Sequence, residues 1–212
     1  MTAPNSFPGP RTNRTAAGFG DRVADIVAAD IIVAVGDYTG GAAEDLFTLS
    51  AHGLVDGDIV HVLWQSVMGV VLGGEGVRAI VNAVDANTFH LTTDGSTAIE
   101  NTADGTAVLL KGDVPTGVVE GLVIPRVIVA AGDYTGGTAE DIFTPAQGTK
   151  GVVDGDTLKL VYESAAGVVN GAVDTTFYGK SPTVTYFQIA ATSGGAVVEH
   201  SADGTAVFLK TS

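Results

Sequence analysis

The chain says nearly the same thing twice, and this limits its fold more than any other feature. Gly36-Asp37-Tyr38-Thr39-Gly40-Gly41 returns unchanged as Gly132-Asp133-Tyr134-Thr135-Gly136-Gly137, 96 residues further on. Ala43-Glu44-Asp45-Leu46-Phe47-Thr48 answers to Ala139-Glu140-Asp141-Ile142-Phe143-Thr144 at the same spacing. Val55-Asp56-Gly57-Asp58 matches Val153-Asp154-Gly155-Asp156 at 98, and Ala103-Asp104-Gly105-Thr106-Ala107-Val108 matches Ala202-Asp203-Gly204-Thr205-Ala206-Val207 at 99. The order is kept while the spacing grows by single residues, which is how a duplicated module drifts in its loops.

Within each copy the pattern is that of short strands. In Asp58 to Trp64, and in its partner Asp156 to Tyr162, alternate residues are apolar, the signature of a half-buried strand. Val60, Val62 and Trp64, with Leu158, Leu160 and Tyr162, should therefore face a core. Further strands are expected at Ile31 to Val35, Val77 to Ala83, Thr88 to Thr92, Ala98 to Thr102 and Ala107 to Lys111. Val127 to Ala131 opens the second copy and Ala206 to Lys210 closes it. The 29 glycines suit the turns between such strands. The fold class is all-β: two tandem homologous small β-sandwich or barrel domains behind an extended N-terminal arm.

The expected organisation is an arm over residues 1–28, a first module over 29–112, a linker over 113–125 and a second module over 126–212. Pro4, Pro8, Gly9 and Pro10 mark the arm as extended and flexible, with a short helical turn from Asp21 through Ala28. The linker combines a turn-rich Gly112 to Gly117 with a strand from Val118 to Ile124.

Composition excludes several classes. The chain is 45% hydrophobic and 16% charged, a globular rather than a disordered balance. Its net charge of -14 repels nucleic acid and anionic membrane, so neither is expected as a partner. The arm departs from this, because Arg11, Arg14 and Arg22 face only Asp21 within residues 1–22. With no cysteine there is no disulfide, thiolate metal site or cysteine nucleophile. Neither a signal peptide nor a membrane span is legible.

Each chemical candidate has a plainer reading. The Asp-Gly pairs at 56, 94, 104, 154 and 203 offer carboxylates for calcium, but none has the EF-hand spacing, and Asp-Gly is the favoured pair of a tight hairpin turn. His52, His61, His90 and His200 lack metal-ligand spacing, and His61 and His90 read as surface residues. Glu44-Asp45 and Glu140-Asp141 invite a two-carboxylate hydrolase, yet neighbours on a strand point to opposite faces, and a place at a strand entrance fits better. Tyr38 and Tyr134 sit in possible interaction loops, or each plugs its own module beside a turn. No catalytic residue, cofactor or metal site is assigned, and an enzyme is not expected.

Gly53 to Asp58, then Val81-Asn82-Ala83-Val84-Asp85-Ala86-Asn87-Thr88-Phe89-His90-Leu91-Thr92, then Asp104 to Val108, resemble a β module of tailed-bacteriophage virion proteins. Phe187 to Val197 followed by Asp203-Gly204-Thr205 carries the likeness into the second copy. Arg78-Ala79-Ile80 stands where such modules usually have tyrosines. The resemblance implies a structural virion protein, found in decoration, tail and fibre components alike. A short chain with an arm and no fibre shaft points to a capsid decoration or cement protein, made in the host cytoplasm and carried on the capsid exterior. The major capsid protein is the expected partner, with Arg11, Arg14 and Arg22 as contacts. Homo-oligomerisation is expected, a trimer being the form that threefold shell positions accept. The alternative is a tail- or fibre-associated receptor- or carbohydrate-binding module.

Overall fold

The computed structural model describes residues 26–38, 45–123, 126–134, 141–146, 152–183 and 185–211. Twelve strands fall into two groups of six. The first comprises β1 (Ile31–Asp37), β2 (Leu46–Thr48), β3 (Ile59–Gln65), β4 (Arg78–Ala83), β5 (Thr88–Thr92) and β6 (Gly105–Lys111). They close into an antiparallel barrel in the order β1-β2-β5-β4-β3-β6. The second group is β7 (Val127–Asp133), β8 (Ile142–Pro145), β9 (Thr157–Glu163), β10 (Thr176–Lys180), β11 (Gln188–Ala190) and β12 (Gly204–Lys210). It repeats the order as β11-β10-β9-β12-β7-β8. Here β8 and β11 meet through the single bridge Phe143 to Phe187, which exchanges hydrogen bonds of 2.8 and 3.0 Å. In the first barrel the equivalent β2 and β5 share three residue pairs.

Alternation places one set of side chains inside each barrel. Ile32, Ala34, Phe47, Val60, Val62, Phe89, Leu91 and Leu109 fill the first. Ile128, Phe143, Leu158, Leu160, Phe187, Ile189 and Phe208 fill the second, where Phe143, Phe187 and Phe208 pack with centroids 5.1 to 6.0 Å apart.

The opposite faces of the same strands are buried too. Ile31 and Val33 of β1, Leu63 of β3, and Val108 and Leu110 of β6 meet Val127 and Val129 of β7 and Val207 and Leu209 of β12 in one apolar seam between the barrels. This explains why Ala107-Val108-Leu109-Leu110 is apolar without interruption, since a strand covered on both faces has no solvent side. The seam is built from equivalent positions of the two copies, so the barrels face one another about an approximate twofold axis.

Several expectations need correction. Trp64 and Tyr162 do not face their barrels. The ladder steps from Val62 opposite Leu109 to Trp64 opposite Val108, and from Leu160 opposite Phe208 to Tyr162 opposite Val207. The skipped residues, Leu63 and Val161, are bulges, and a bulge reverses the face of every residue beyond it. Both aromatic rings consequently pack against the seam.

Ala98 to Thr102 is not a strand beyond the bridge from Ala98 to Thr92. The Ile99 amide still donates to the Leu91 carbonyl at 2.7 Å, but beyond it the amides go elsewhere, Asn101 to the Asp45 carboxylate at 2.5 Å and Thr102 to the Gly69 carbonyl at 2.7 Å. The sixth strand is instead β2, which is only three residues long.

The strand expected from Val118 to Ile124 is not formed over its described residues, 118–123, because Thr116–Val118 and Val119–Val123 form helical turns. The Pro115 carbonyl accepts from the amides of Val118 and Val119 at 2.9 and 3.1 Å. Near-helical spacing then puts Val119 and Val123 on one side, where they close over the seam with Val114. The helical turn expected from Asp21 lies mostly outside the described residues. A 3-10 turn spans Ala28–Asp30.

Candidate functional site

Three Asp-Gly pairs form turns, with Gly57, Gly95 and Gly155 at φ of 85°, 87° and 87°. In one of them, Asp94, amide donors from Thr97 and Ser96 hold the carboxyl down to about 2. Its oxygens are committed to that turn.

The pairs at 104 and 203 are not turns, and this corrects the sequence reading. Gly105 and Gly204 begin β6 and β12. A Cβ on Gly105 would stand 2.5 Å from Ser66 Oγ and 2.6 Å from Val70 Cγ2, so glycine is needed there for close approach and not for turning. The preceding carboxylates clamp the strands that open each module. Asp104 accepts from the Tyr38 amide and Asp203 from the Tyr134 amide, each at 2.7 Å.

Asp45 and Asp141 do stand at strand entrances, at φ of 60° and 58°. Each is held by an amide of its own module, Asp45 by Asn101 at 2.5 Å and Asp141 by His200 at 2.6 Å. Glu44 and Glu140 lie outside the described residues, as do Arg11, Arg14 and Arg22. Tyr38 and Tyr134 are 45% and 44% exposed, so neither ring plugs its barrel.

His61 is fully buried, which overturns its reading as a surface residue. It lies on the seam face of β3 beneath the linker, where its Nε2 accepts from the Val114 amide at 3.2 Å. Burial first, and Arg78 second, lower its pKa, against an opposing pull from Asp113. His200 is buried against Phe143, with ring centroids 4.5 Å apart, and burial lowers its pKa against the pull of Asp141. His90 is half-buried beside the Asp45 carbonyl. His52 is buried, bridging Leu54 and Asp85 within its own loops. These imidazoles do not converge, and among the described residues no three His, Asp or Glu side chains are placed to hold a metal.

What the residues do build is a cup at one end of the first barrel. After β3 the chain turns through residues 66–77, using Gly69, Gly73, Gly74 and Gly76 at positive φ. Gln65 Oε1 takes the Val71 amide at 2.9 Å, and the Gly69 carbonyl takes the Thr102 amide at 2.7 Å. These bonds pin Val70 and Val71 into the barrel mouth, fully buried. The same winding throws Val67, Met68 and Leu72 outward, 52%, 89% and 54% exposed. Met68, Val71 and Leu72 line an open depression of about 760 Å³ together with Gln65, Glu75 and Thr102.

The second copy keeps the device but changes its outer surface. Val168 and Val169 plug the mouth, Glu163 takes the Val169 amide at 3.0 Å, and Gly167 takes the Ser201 amide at 2.9 Å. Val67, Met68 and Leu72, however, give way to Ala165, Ala166 and Asn170. The plugging valines and the outward residues alike lie outside every strand, in a glycine-rich loop with no period to betray them. Comparison of the two copies position by position is the signal that finds them.

A smaller cleft lies at the end of the seam, where Trp64, Ser66 and Thr106 face Tyr162, Ser164 and Thr205. Ser66 Oγ and Ser164 Oγ there accept the amides of Thr106 and Thr205 at 2.9 and 2.8 Å. These hydroxyls bind strand β3 to β6 and β9 to β12.

Compared with protein-family models, curated proteins and solved structures, the chain has no significant match in any of the three.

Proposed function

We infer that this chain is a structural, non-enzymatic protein of a tailed-bacteriophage particle, attached to the capsid exterior as a decoration or cement protein. The observation that carries the reading is a pair of six-stranded β units, joined through a continuous apolar seam, in which Val67, Met68 and Leu72 stand together in solvent on one loop at the end of the first. Monomeric proteins rarely leave clustered apolar side chains bare unless something binds them. The sequence resemblance supplies the particle, and the basic Arg11, Arg14 and Arg22 supply a second contact for the major capsid protein. A protein that binds only the assembled shell adds its association energy to that state alone and so resists expansion and bursting.

Co-sedimentation with capsids lacking such a protein tests the reading, comparing the full chain with one lacking residues 1–28. Capsid binding that depends on those residues supports attachment through the arm, and binding without them moves the contact onto the barrels. Absence of capsid binding together with binding to tails or host glycans defeats the reading.

The exposure of Tyr38 and Tyr134 favours a second reading, a receptor- or carbohydrate-binding module of a tail or fibre. Glycan-array binding lost in Tyr38→Ala and Tyr134→Ala would establish it.

A further inference from the structure

We propose that the cup over residues 65–75 is a docking site for a segment of a partner protein that inserts an apolar side chain flanked by lysine or arginine. The inference rests on the reading of the chain as a protein-binding structural module, and not on the partner being a capsid.

Three observations converge on it. The floor and wall of the cup are apolar, with Val71 buried beneath Met68 and Leu72, so an inserted apolar side chain would cover surface that now faces water. The charge at the rim is acidic: Glu75 lines the cup, Thr102 beside it stands between the exposed Glu100 and Asp104 in sequence, and among the described residues no lysine or arginine is part of the lining. A cationic flank is the complement of that rim, and a second copy of this chain is a poor occupant because each copy carries a net charge of -14.

The third observation is the duplication. The second module holds the same loop with the same plug and the same side-chain clamp, yet carries Ala166 and Asn170 where the first carries Met68 and Leu72. The loop fold therefore does not need the outward apolar residues. Met68 in particular is almost wholly in solvent, and an unbranched, polarizable side chain there adapts to an irregular partner surface.

The test is selection from a random peptide library displayed on yeast, using the full-length chain as bait. The variant pair Met68→Ser and Leu72→Ser provides the comparison, with Ala165→Ser and Ala166→Ser as the matched control in the second module. Both sites are exposed, so all baits should melt at the same temperature. The expected result is enrichment of peptides with an apolar residue flanked by Lys or Arg. Their capture should fall about tenfold or more with the first pair, weaken with added salt, and be unchanged with the control.

Enrichment of peptides without basic flanks, capture indifferent to Met68 and Leu72, or no enrichment overturns the proposal. Enrichment seen only after residues 1–25 are removed makes the chain's own arm the occupant and overturns it. So does self-association, in sedimentation velocity, that the first pair abolishes. Capsid co-sedimentation is read separately, so a chain that selects such peptides but ignores capsids upholds this site and defeats only the assignment to a virion.

Discussion

At the scale of single residues, two buried imidazoles and two glycines set the conditions under which the chain stays folded. His61 and His200 have pKa values below their ordinary 6.5, with burial the leading cause in each. Folding thus favours the neutral ring. Their contribution is complete above about 6.5, where the unfolded chain is also neutral, and is lost as pH falls from there towards the folded values. The midpoint of urea denaturation should fall between pH 7.5 and pH 5, and the fall should shrink in His61→Gln, which keeps an acceptor for the Val114 amide. An equal fall in that variant would remove His61 from the account. Gly105 and Gly204 act through space rather than charge. A methyl at either would collide with a serine hydroxyl and a buried valine. Gly105→Ala and Gly204→Ala should each cost about 1 to 3 kcal/mol in chemical denaturation, the usual penalty of overpacking.

At the scale of elements, the two barrels differ in how they close. Three residue pairs join β2 to β5, whereas one bridge joins β8 to β11. Local opening should therefore be easier in the second module. Amide exchange at Gln188 to Ala190 should be faster than at Phe89 to Leu91, and equal protection would show that the phenylalanine cluster alone holds the second seam shut. The same elements show what the sequence makes legible. Long strands with clean alternation, such as β3 and β9, are readable as strands along most of their length, and Asp-Gly at 56, 94 and 154 marks real turns. The reading fails beyond Leu63 and Val161, because a bulge is set by pairing with β6 and β12 and not by any residue in its own strand. It fails again at Val118 to Val123, where three valines suggest a strand but the segment adopts helical turns, the winding that delivers Val119 and Val123 to the seam. His61 looked polar enough for the surface. It is buried because the linker crosses above it, a fact of tertiary structure with no local mark. The cup was hidden for the opposite reason, its residues having no periodicity at all.

At the scale of the whole molecule, the seam makes the two barrels interdependent. Removing the side chain of Leu110, which is buried within it, should cost roughly 2 to 5 kcal/mol. The intact chain should melt in one calorimetric transition, and Leu110→Asp, which buries a charge between the barrels, should split it into two. Two transitions in the unaltered chain would mean that the barrels are stable independently and merely touch. Joining the halves in one polypeptide has a further effect on assembly. In a pair of identical subunits every change appears twice, so a new adhesive spot on one half appears on the other, and a particle with two such ends can bridge neighbours without limit. Here the apolar residues at 68 and 72 are matched by alanine and asparagine in the sister loop. If the cup docks a partner as proposed, each molecule offers it once, so docking there would saturate after a single event and the protein would coat a surface without cross-linking it.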